Sequence, residues 1–144
     1  MRYLIVDGHS VIFAWPELRR LHERRNLLAR EALIKTLVEY QDASGVHVVL
    51  VFDGQGGKAA EDTAPGSIQI FYSATGQTAD AVIERLAARY AGEHDITVAT
   101  GDFLEQQTVS SFGAYTTDPE GLRVLVENAQ ADLARQLRQH RRKK

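Results

Sequence analysis

The sequence predicts an α/β domain in which helices cover both faces of a mostly parallel central sheet. Short apolar runs rich in β-branched residues alternate with longer segments whose apolar residues recur at helical spacing. Three of the short runs end on an aspartate, and in a parallel sheet such ends meet at one edge. The chain has 144 residues, of which 44% are hydrophobic and 25% charged, which suits one globular domain. We expect that domain over residues 1–134 and a basic tail over residues 135–144.

The first half of the chain predicts two strands and a long helix, followed by a glycine-rich loop. The run RYLIV at residues 2–6 predicts the first strand. From Asn26 onwards apolar residues follow helical spacing, and this helix is expected to stop at Gly45 because glycine commonly ends helices. The β-branched run VHVVLVF at residues 46–52 predicts the second strand. Segment 54–66, GQGGKAAEDTAPG, holds four glycines and a proline, so we expect a mobile loop.

The second half of the chain continues the alternation of strands and helices. The predicted elements are a strand at 67–73, a helix at 78–92, a strand at 96–100, a short helix at 103–111, a strand at 113–117 and a final helix from 118. Asp118 can cap that last helix and Pro119 suits its first turn. The order of elements predicts one parallel-rich sheet and no second domain.

Carboxylates follow the predicted strands at the edge where their carboxyl ends meet. The strands end in LIVD at Asp7, in LVFD at Asp53 and in VATGD at Asp102. A fourth acid, Asp80, opens the predicted helix TADAVIERL, and Glu84 lies one turn further along the same helix face. The loops beyond the carboxyl ends of parallel strands form the binding crevice, so we expect these acids to meet there.

Each acid also has a structural explanation of its own. Asp7 and Asp102 can cap helices, Asp53 can stabilise the turn before Gly54, and an acid such as Asp80 suits the first turn of a helix. Gathered together, however, the carboxylates would strongly disfavour one another's ionisation. A divalent cation removes that conflict, and oxygen ligands are those that Mg²⁺ and Mn²⁺ prefer. We therefore favour a metal site that activates water against a phosphate ester.

Four motifs together resemble a known family of nucleases. LIVDGHSVI, VVLVFDGQG, TADAVIERL and VATGD occur in the order and spacing of NYN domains, which belong to the PIN-like nuclease superfamily. The chain is most similar to their YacP-like branch of bacterial ribonucleases. The motif VFDG also resembles the acid motif of flap-type 5′ nucleases of that superfamily. The resemblance covers nearly the whole chain and implies a three-layer α/β sandwich with an acidic metal centre.

The resemblance also implies an activity and a set of site residues. The activity is endonucleolytic cleavage of RNA with Mg²⁺ or Mn²⁺, and one branch of the family acts on messenger RNA at the ribosome. By position, Asp7, Asp53, Asp80 and Asp102 would be the catalytic and metal-binding acids. Glu84 would be a further metal ligand.

The chain departs from this branch directly after the first strand. Members usually read Asp-Gly-Tyr-Asn, where this chain has Asp7, Gly8, His9 and Ser10. The Ser10 hydroxyl can bind a phosphate or orient Asp7, but it lacks the second group of an amide. His9 is either a phosphate contact or general acid of the site, or a solvated histidine without a role.

Candidate RNA contacts are spread over two further segments. Lys58 is the one cation of segment 54–66 and either meets a phosphate or lies in a loop without contacts. In ELRRLHERRN, residues 17–26, basic residues recur at spacings that suit an RNA backbone, although the interleaved glutamates can pair with them. The substrate-binding candidates of this stripe are Arg19, Arg20 and Arg24. Phe13 and Trp15 either stack on bases or, as we favour, pack in the core.

Charge and cysteine content limit the kinds of site, the cellular location and the partners that we expect. The absence of cysteine excludes a disulfide framework, a thiolate nucleophile and a cysteine-based zinc site, and we expect a cytoplasmic protein. No apolar run approaches the ~20 residues of a membrane span, so no membrane partner is expected. The last ten residues carry six Lys or Arg and no acid, which leaves eleven basic against nineteen acidic residues, a net charge of −8, on residues 1–134. This tail either approaches phosphates or is the solvated end of a helix.

Other functions fit the sequence less well. A phosphotransferase of the haloacid dehalogenase type needs Asp-x-Asp after the first strand, where this chain has His9. A receiver-like domain needs a late lysine that GAYTT lacks. The serious alternative is a non-catalytic RNA- or ribosome-binding module on the same fold. The class of RNA, the number of metal ions and the choice between monomer and dimer stay open.

Overall fold

A computed structural model describes residues 1–54, 68–74 and 76–142, together with the backbone of residues 60–63. In these parts of the chain the strands are β1 (Arg2–Asp7), β2 (His47–Phe52), β3 (Ala60–Thr63), β4 (Gln69–Tyr72), β5 (Asp95–Ala99) and β6 (Tyr115–Thr117). They form one sheet in the order β3-β4-β2-β1-β5-β6. Five strands run parallel, and only the edge strand β3 is antiparallel to its neighbour β4. The predicted mostly parallel sheet is confirmed.

Helices cover both faces of this sheet. They are α1 (Gly8–Ala14), α2 (Pro16–Arg24), α3 (Asn26–Ser44), α4 (Ala79–Tyr90), α5 (Phe103–Ser111) and α6 (Pro119–Arg142). Helices α1, α2, α3 and α6 share one apolar core with the sheet, while α4 and α5 share the core on the opposite face. The three-layer α/β sandwich is therefore confirmed. None of the described helices is long and apolar enough to cross a membrane.

The strands read as unbroken apolar runs because both of their faces are buried. In β1, Leu4 and Val6 belong to the core beneath α3, whereas Ile5 belongs to the core beneath α4. This division follows from the two-residue period of a strand. Helix α3 ends as expected at Gly45, whose φ of 75° lies in the left-handed region that favours glycine.

Two described elements were not predicted from the sequence. The chain continues from β1 directly into α1, because the Asp7 side chain accepts a hydrogen bond from the Ser10 N–H and caps this helix. Gly8 permits the start of α1 to lie close against Phe52, since a Cβ at that position would lie 2.3 Å from the Phe52 ring. In segment 54–66, residues 60–63 form β3 instead of a loop. Lys58 lies outside the described residues.

The two aromatic residues near the first helix differ in their surroundings. Trp15 is buried, and its indole N–H donates to the Pro119 carbonyl at 2.8 Å, so its expected place in the core is confirmed. Phe13 was expected in the core as well, but 49% of its surface is exposed. It lies on the side of α1 that faces the carboxyl ends of the strands.

Helix α6 carries the basic tail away from that edge. Pro119, its first residue, lies beside Trp15 at the carboxyl ends of the strands. Leu125 already lines a cavity with Arg2 and Val46 at the amino ends. Residues 131–142 continue the helix and are exposed throughout. The described cations of the tail therefore lie beyond the amino ends of the strands.

Candidate functional site

Three of the predicted acids lie at the carboxyl ends of adjacent parallel strands. Asp7 is the last residue of β1, Asp53 follows β2 and Asp102 lies just beyond β5. Because β1 pairs in parallel with both β2 and β5, these ends meet at one edge, as the sequence predicts. A cavity of about 260 Å³ opens there. It is lined by Asp7, His9, Ser10, Phe13, Asp53, Thr78, Ala79 and Asp80.

Asp7 is the most enclosed of the three strand-end acids. Only 8% of its surface is exposed, and its carboxylate accepts hydrogen bonds from the Ser10 N–H at 3.4 Å and the Thr100 hydroxyl at 3.2 Å. Burial raises the pKa of Asp7, the two hydrogen bonds lower it, and the charges of Asp53 and Asp102 raise it further. The net result is a raised pKa, so the charged form is disfavoured without a cation nearby.

Asp102 caps helix α5 and reaches the same cluster. Its Oδ1 accepts hydrogen bonds from the backbone N–H groups of Leu104 at 2.9 Å and Glu105 at 3.3 Å. This is the capping role that Asp102 can also fill on sequence grounds. Its charge nevertheless raises the pKa values of Asp7 and Asp80. Asp102 therefore caps α5 and also belongs to the acid cluster.

Asp80 enters the cluster from the first turn of α4. As expected, it lies at the start of this helix, where the cap is Thr78, whose hydroxyl accepts the Ala81 N–H at 3.2 Å. Burial raises the pKa of Asp80 to about 6, helped by the charges of Asp7 and Asp102. The carboxyl of Asp102 also lies within hydrogen-bonding reach of Asp80.

Glu105 is a member of the cluster that the sequence prediction missed. It is only 3% exposed, and burial together with the charges of Asp80 and Glu84 raises its pKa to about 9. Glu84 lies within hydrogen-bonding reach of it, which confirms that Glu84 is close to the other acids. Among the described residues, Glu105 Oε1 has no hydrogen-bond partner. A buried carboxyl oxygen without a partner is costly, so it requires an explanation.

The sequence signal for Glu105 points to a different role. Asp102 and Glu105 have the spacing of a capping box, in which the glutamate accepts the N–H of the cap residue. Here the Asp102 N–H donates instead to the Thr100 hydroxyl at 3.2 Å. The Glu105 side chain is thus left for the carboxylate cluster, and only the fold reveals this.

Asp53 differs from the other strand-end acids. Its Oδ1 accepts the Ala79 N–H at 2.6 Å and so ties the start of α4 to the end of β2. Its Oδ2 lies 3.5 Å from His9 Nδ1, and about half of the side chain is exposed. One oxygen is therefore already used structurally, while the other faces the histidine.

His9 and Ser10 lie in the first turn of α1. Burial lowers the pKa of His9, the charge of Asp53 raises it, and those of Arg30 and His22 lower it. Ser10 Oγ accepts the Gly101 N–H at 2.6 Å, which joins α1 to the loop after β5. Ser10 therefore orients Asp7 through its backbone N–H and not through its hydroxyl.

The basic residues near the cavity are not the ones expected. Arg19, Arg20 and Arg24 are exposed on α2, and none is among the described residues that line the cavity. Arg30 on α3 was not predicted, and its charge reaches His9. Its guanidinium carbon lies 4.8 Å from the centroid of the Phe52 ring. No sequence pattern distinguishes Arg30 from an ordinary helix surface cation.

The chemistry of the acid cluster fits a hard divalent cation. It combines oxygen ligands, raised pKa values and the unpartnered oxygen of Glu105, all of which a bound cation would relieve. Within the described ranges, no three acid or histidine side chains stand close enough together to hold one ion. The side chains would have to move towards an ion that binds there.

Comparisons with known proteins give a consistent result. The family model described as "YacP-like NYN domain" matches residues 4–144. The protein named "Uncharacterized protein YacP" from Bacillus subtilis is 33% identical over 140 residues, which is 96% of this chain and 82% of that protein. Crystal structures of Rae1 (YacP) from Bacillus subtilis are also similar. One, of a point mutant, has a TM-score of 0.82 at 31% identity, covering 96% of this chain and 83% of the other. A second has a TM-score of 0.77 at 33% identity, covering 96% and 81%.

Proposed function

The chain belongs to the family of YacP-like NYN domains in the PIN-like nuclease superfamily, and on that premise we propose that it is a metal-dependent endoribonuclease. The observation that supports a metal is the buried Glu105 carboxyl, which has an oxygen without a described partner among like-charged acids. Such an arrangement is unfavourable for stability alone but suits a site that binds a cation.

The proposed cofactor is Mg²⁺ or Mn²⁺. Asp7, Asp80 and Asp102 would hold it, with Glu84 and Glu105 beside them. When bound, the ion lowers the pKa of a water molecule and stabilises the negative charge that develops on the phosphate. The choice between one ion and two stays open.

Hydrogen bonds within the chain restrain two of these acids before an ion or a substrate binds. Asp7 is held by the Thr100 hydroxyl and the Ser10 N–H, so its position does not depend on a substrate. Asp53, which we also predict to be a metal ligand, holds the start of α4 and thereby the turn that contains Asp80. Groups fixed in advance lose little entropy when the substrate binds, which favours catalysis.

The proposed substrate is single-stranded or ribosome-associated RNA, with messenger RNA as the first class to examine, and the proposed location is the cytoplasm. His9 lines the cavity, and the charge of Arg30 on α3 acts on His9, so we propose that a phosphate of the strand meets both residues on this side. Arg19, Arg20 and Arg24 stay candidates for contacts with more distant phosphates. Lys58 stays a prediction as well.

A non-catalytic RNA- or ribosome-binding module is the second candidate. It is favoured by one observation, that no three described acid or histidine side chains stand together closely enough to hold an ion. The exposed basic end of α6 would serve binding without cleavage. The two candidates differ in whether a divalent metal produces new RNA ends.

The test compares Asp80→Asn with the parent chain and with Asp95→Asn. Asp95 is an exposed acid at the amino end of β5, so its variant matches the charge change at the opposite end of the strands. Asp80→Asn should fold normally because Thr78 caps α4. Its cleavage rate should fall by ~10²- to 10³-fold, the usual cost of losing a charge-stabilising group, while RNA binding stays equal or tightens.

The readout is sequencing of the 5′ ends of messenger RNA incubated with Mn²⁺ or with chelator. New ends should appear with the parent and Asp95→Asn in Mn²⁺ only. If Asp80→Asn cleaves as fast as the parent, Asp80 does not belong to the catalytic site. If the parent binds RNA but does not cleave it in the presence of any divalent metal, the nuclease proposal is wrong and the non-catalytic binding module is supported.

A further inference from the structure

We propose that Phe13, supported by His9 and His22, is a stacking platform for one unpaired nucleobase of the RNA, and that Arg30 binds the adjoining phosphate. This inference rests on the proposed function and adds to it a way of selecting single-stranded RNA at the acid edge. It concerns residues on α1, α2 and α3, which stand outside the carboxylate cluster.

Phe13 presents an aromatic ring to the cavity at a place where burial would be expected. It is 49% exposed and lines the cavity together with Asp7 and Asp80. Phe103 and Phe112 are exposed as well, but Phe13 is the phenylalanine that lines the described cavity beside the acids, so its ring is open to a ligand bound there. Aromatic side chains in single-strand binding sites stack on bases in this way.

Two histidines hold the ring in place. His9 lies one turn before Phe13 on α1, with the ring centroids 6.3 Å apart and the planes inclined by 22°. His22 on α2 meets Phe13 edge-on, with centroids 4.8 Å apart and an interplanar angle of 75°. Rings packed from two sides have few accessible rotamers, so a base would dock on a preformed surface.

Arg30 places a positive charge beside this platform. Its guanidinium carbon lies 4.8 Å from the Phe52 ring centroid and 6.0 Å from that of Tyr72, so cation–π contacts position it. It forms no ion pair with any described residue, and its charge acts on His9 in the cavity wall. An unpaired arginine with fixed orientation is suited to a phosphate.

The combination selects a nucleotide from a single strand. The acids on one side of the cavity suit a metal ion beside the phosphate that is cleaved. The ring of Phe13 suits a base, and the cation of Arg30 suits the next phosphate. In a duplex both faces of a base are already stacked, whereas an unpaired base has a face free for Phe13. An abasic strand would keep the phosphate contact and lose the stacking.

Binding of a labelled ten-nucleotide single-stranded RNA, measured in chelator so that no cleavage occurs, tests the platform. Phe13→Ala should raise Kd by about 10-fold, within the range known for one stacked base, and should leave Kd for an abasic strand of equal length unchanged. Phe112→Ala is the matched control, because Phe112 is 43% exposed at the far end of α5. It should change neither value. Phe13→Tyr should keep the affinity and Phe13→Leu should lose it.

Arg30 is tested with the same two strands. Arg30→Gln should weaken binding of both, because it removes a phosphate contact and not a base contact. Arg89→Gln is the matched control: Arg89 lies 5.3 Å from the centroid of the Tyr90 ring in the last turn of α4. It should leave both Kd values within twofold.

The outcomes separate this inference from the proposed function. If Phe13→Ala binds RNA like Phe112→Ala, or weakens the abasic strand equally, the platform is wrong even where the parent cleaves RNA with Mn²⁺. If the parent never cleaves but the Phe13 and Arg30 variants behave as described, the nuclease proposal is wrong and the platform stands.

Discussion

The two ends of the parallel strands carry different chemistry. At the carboxyl ends lies the cavity of about 260 Å³, which is lined by the carboxylates of Asp7, Asp53 and Asp80. Near the amino ends, between the sheet and α4, lies a larger cavity of about 480 Å³. Its described lining is apolar, aromatic or basic apart from the amide of Gln69, and it contains no acid. The larger cavity is therefore not the one with groups suited to phosphate chemistry.

The difference follows from the direction of the chain. Helices α1, α4 and α5 all begin at the carboxyl ends, where their unpaired N–H groups can donate hydrogen bonds to carboxylates. Asp7 and Asp102 cap α1 and α5, and Asp53 accepts the first N–H of α4. Capping thus holds like charges at one edge, an arrangement that the helix ends at the amino side do not provide.

Metal affinity should show the largest effect at the carboxyl edge. A proton must leave Asp80, with a pKa of about 6, and Glu105, with a pKa of about 9, before either carboxylate binds an ion. Mn²⁺ affinity should therefore rise about 10-fold per pH unit between pH 6 and 8, and more steeply below pH 6. Calorimetric titration of the full chain from pH 5 to pH 8 measures this.

Two variants sharpen the assignment. Glu105→Gln should lose the slope between pH 6 and 8 and keep the one below pH 6, whereas Asp95→Asn at the amino end should behave like the parent. Affinity that is independent of pH over the whole range would show that these two carboxylates do not bind the ion.

Most of the acids at the carboxyl edge could be predicted from the sequence, because three of them directly follow a predicted strand. A hydrophobic run ending on Asp7, Asp53 or Asp102 fixes both the element and its polarity, and parallel pairing then brings the ends together. Asp80 and Glu84 follow from helical spacing on α4. These inferences need only local pattern and a parallel sheet.

The rest depends on contacts between distant segments. Glu105 has the spacing of a capping-box residue, and only the hydrogen bond from the Asp102 N–H to Thr100 releases it for the cluster. Arg30 lies mid-helix with no local signal, and packing over Phe52 brings it to the site. Helix α1 was not predicted, although Asp7 can cap a helix, because its seven residues are too few to show a recurring apolar pattern.

The stability of the metal-free protein should show the next largest effect. The folded chain retains a proton on Glu105 that the unfolded chain releases above its ordinary pKa of 4.5, so stability should fall as pH rises from about 4.5 to 9. Glu105→Gln should remove this loss and raise the free energy of unfolding at pH 8 by about 1–3 kcal/mol, because a neutral amide has no proton to retain against the higher pH.

Urea denaturation in chelator at pH 5 and pH 8 checks this expectation. Glu93→Gln is the matched control, an exposed glutamate just after α4 near the amino ends, and it should change stability by less than ~0.5 kcal/mol. Equal stability of Glu105→Gln and the parent at pH 8 would mean that Glu105 is adequately solvated in the folded protein.

The smallest effect should come from the basic tail at the amino ends. Deleting residues 135–144 removes six cations but uncovers no core, since residues 131–142 are exposed. The four of these cations that the structure describes lie beyond the amino ends, whereas α6 begins beside the acids, so cleavage of a short RNA should not change. Binding of a long RNA should become less dependent on salt, with a slope reduced by up to about 4, because each phosphate contact contributes ~0.7. Titrations at several salt concentrations measure the slope. An unchanged slope would identify the tail as a solvated helix end, and slower cleavage of the short RNA would mean that its cations reach the carboxyl edge after all.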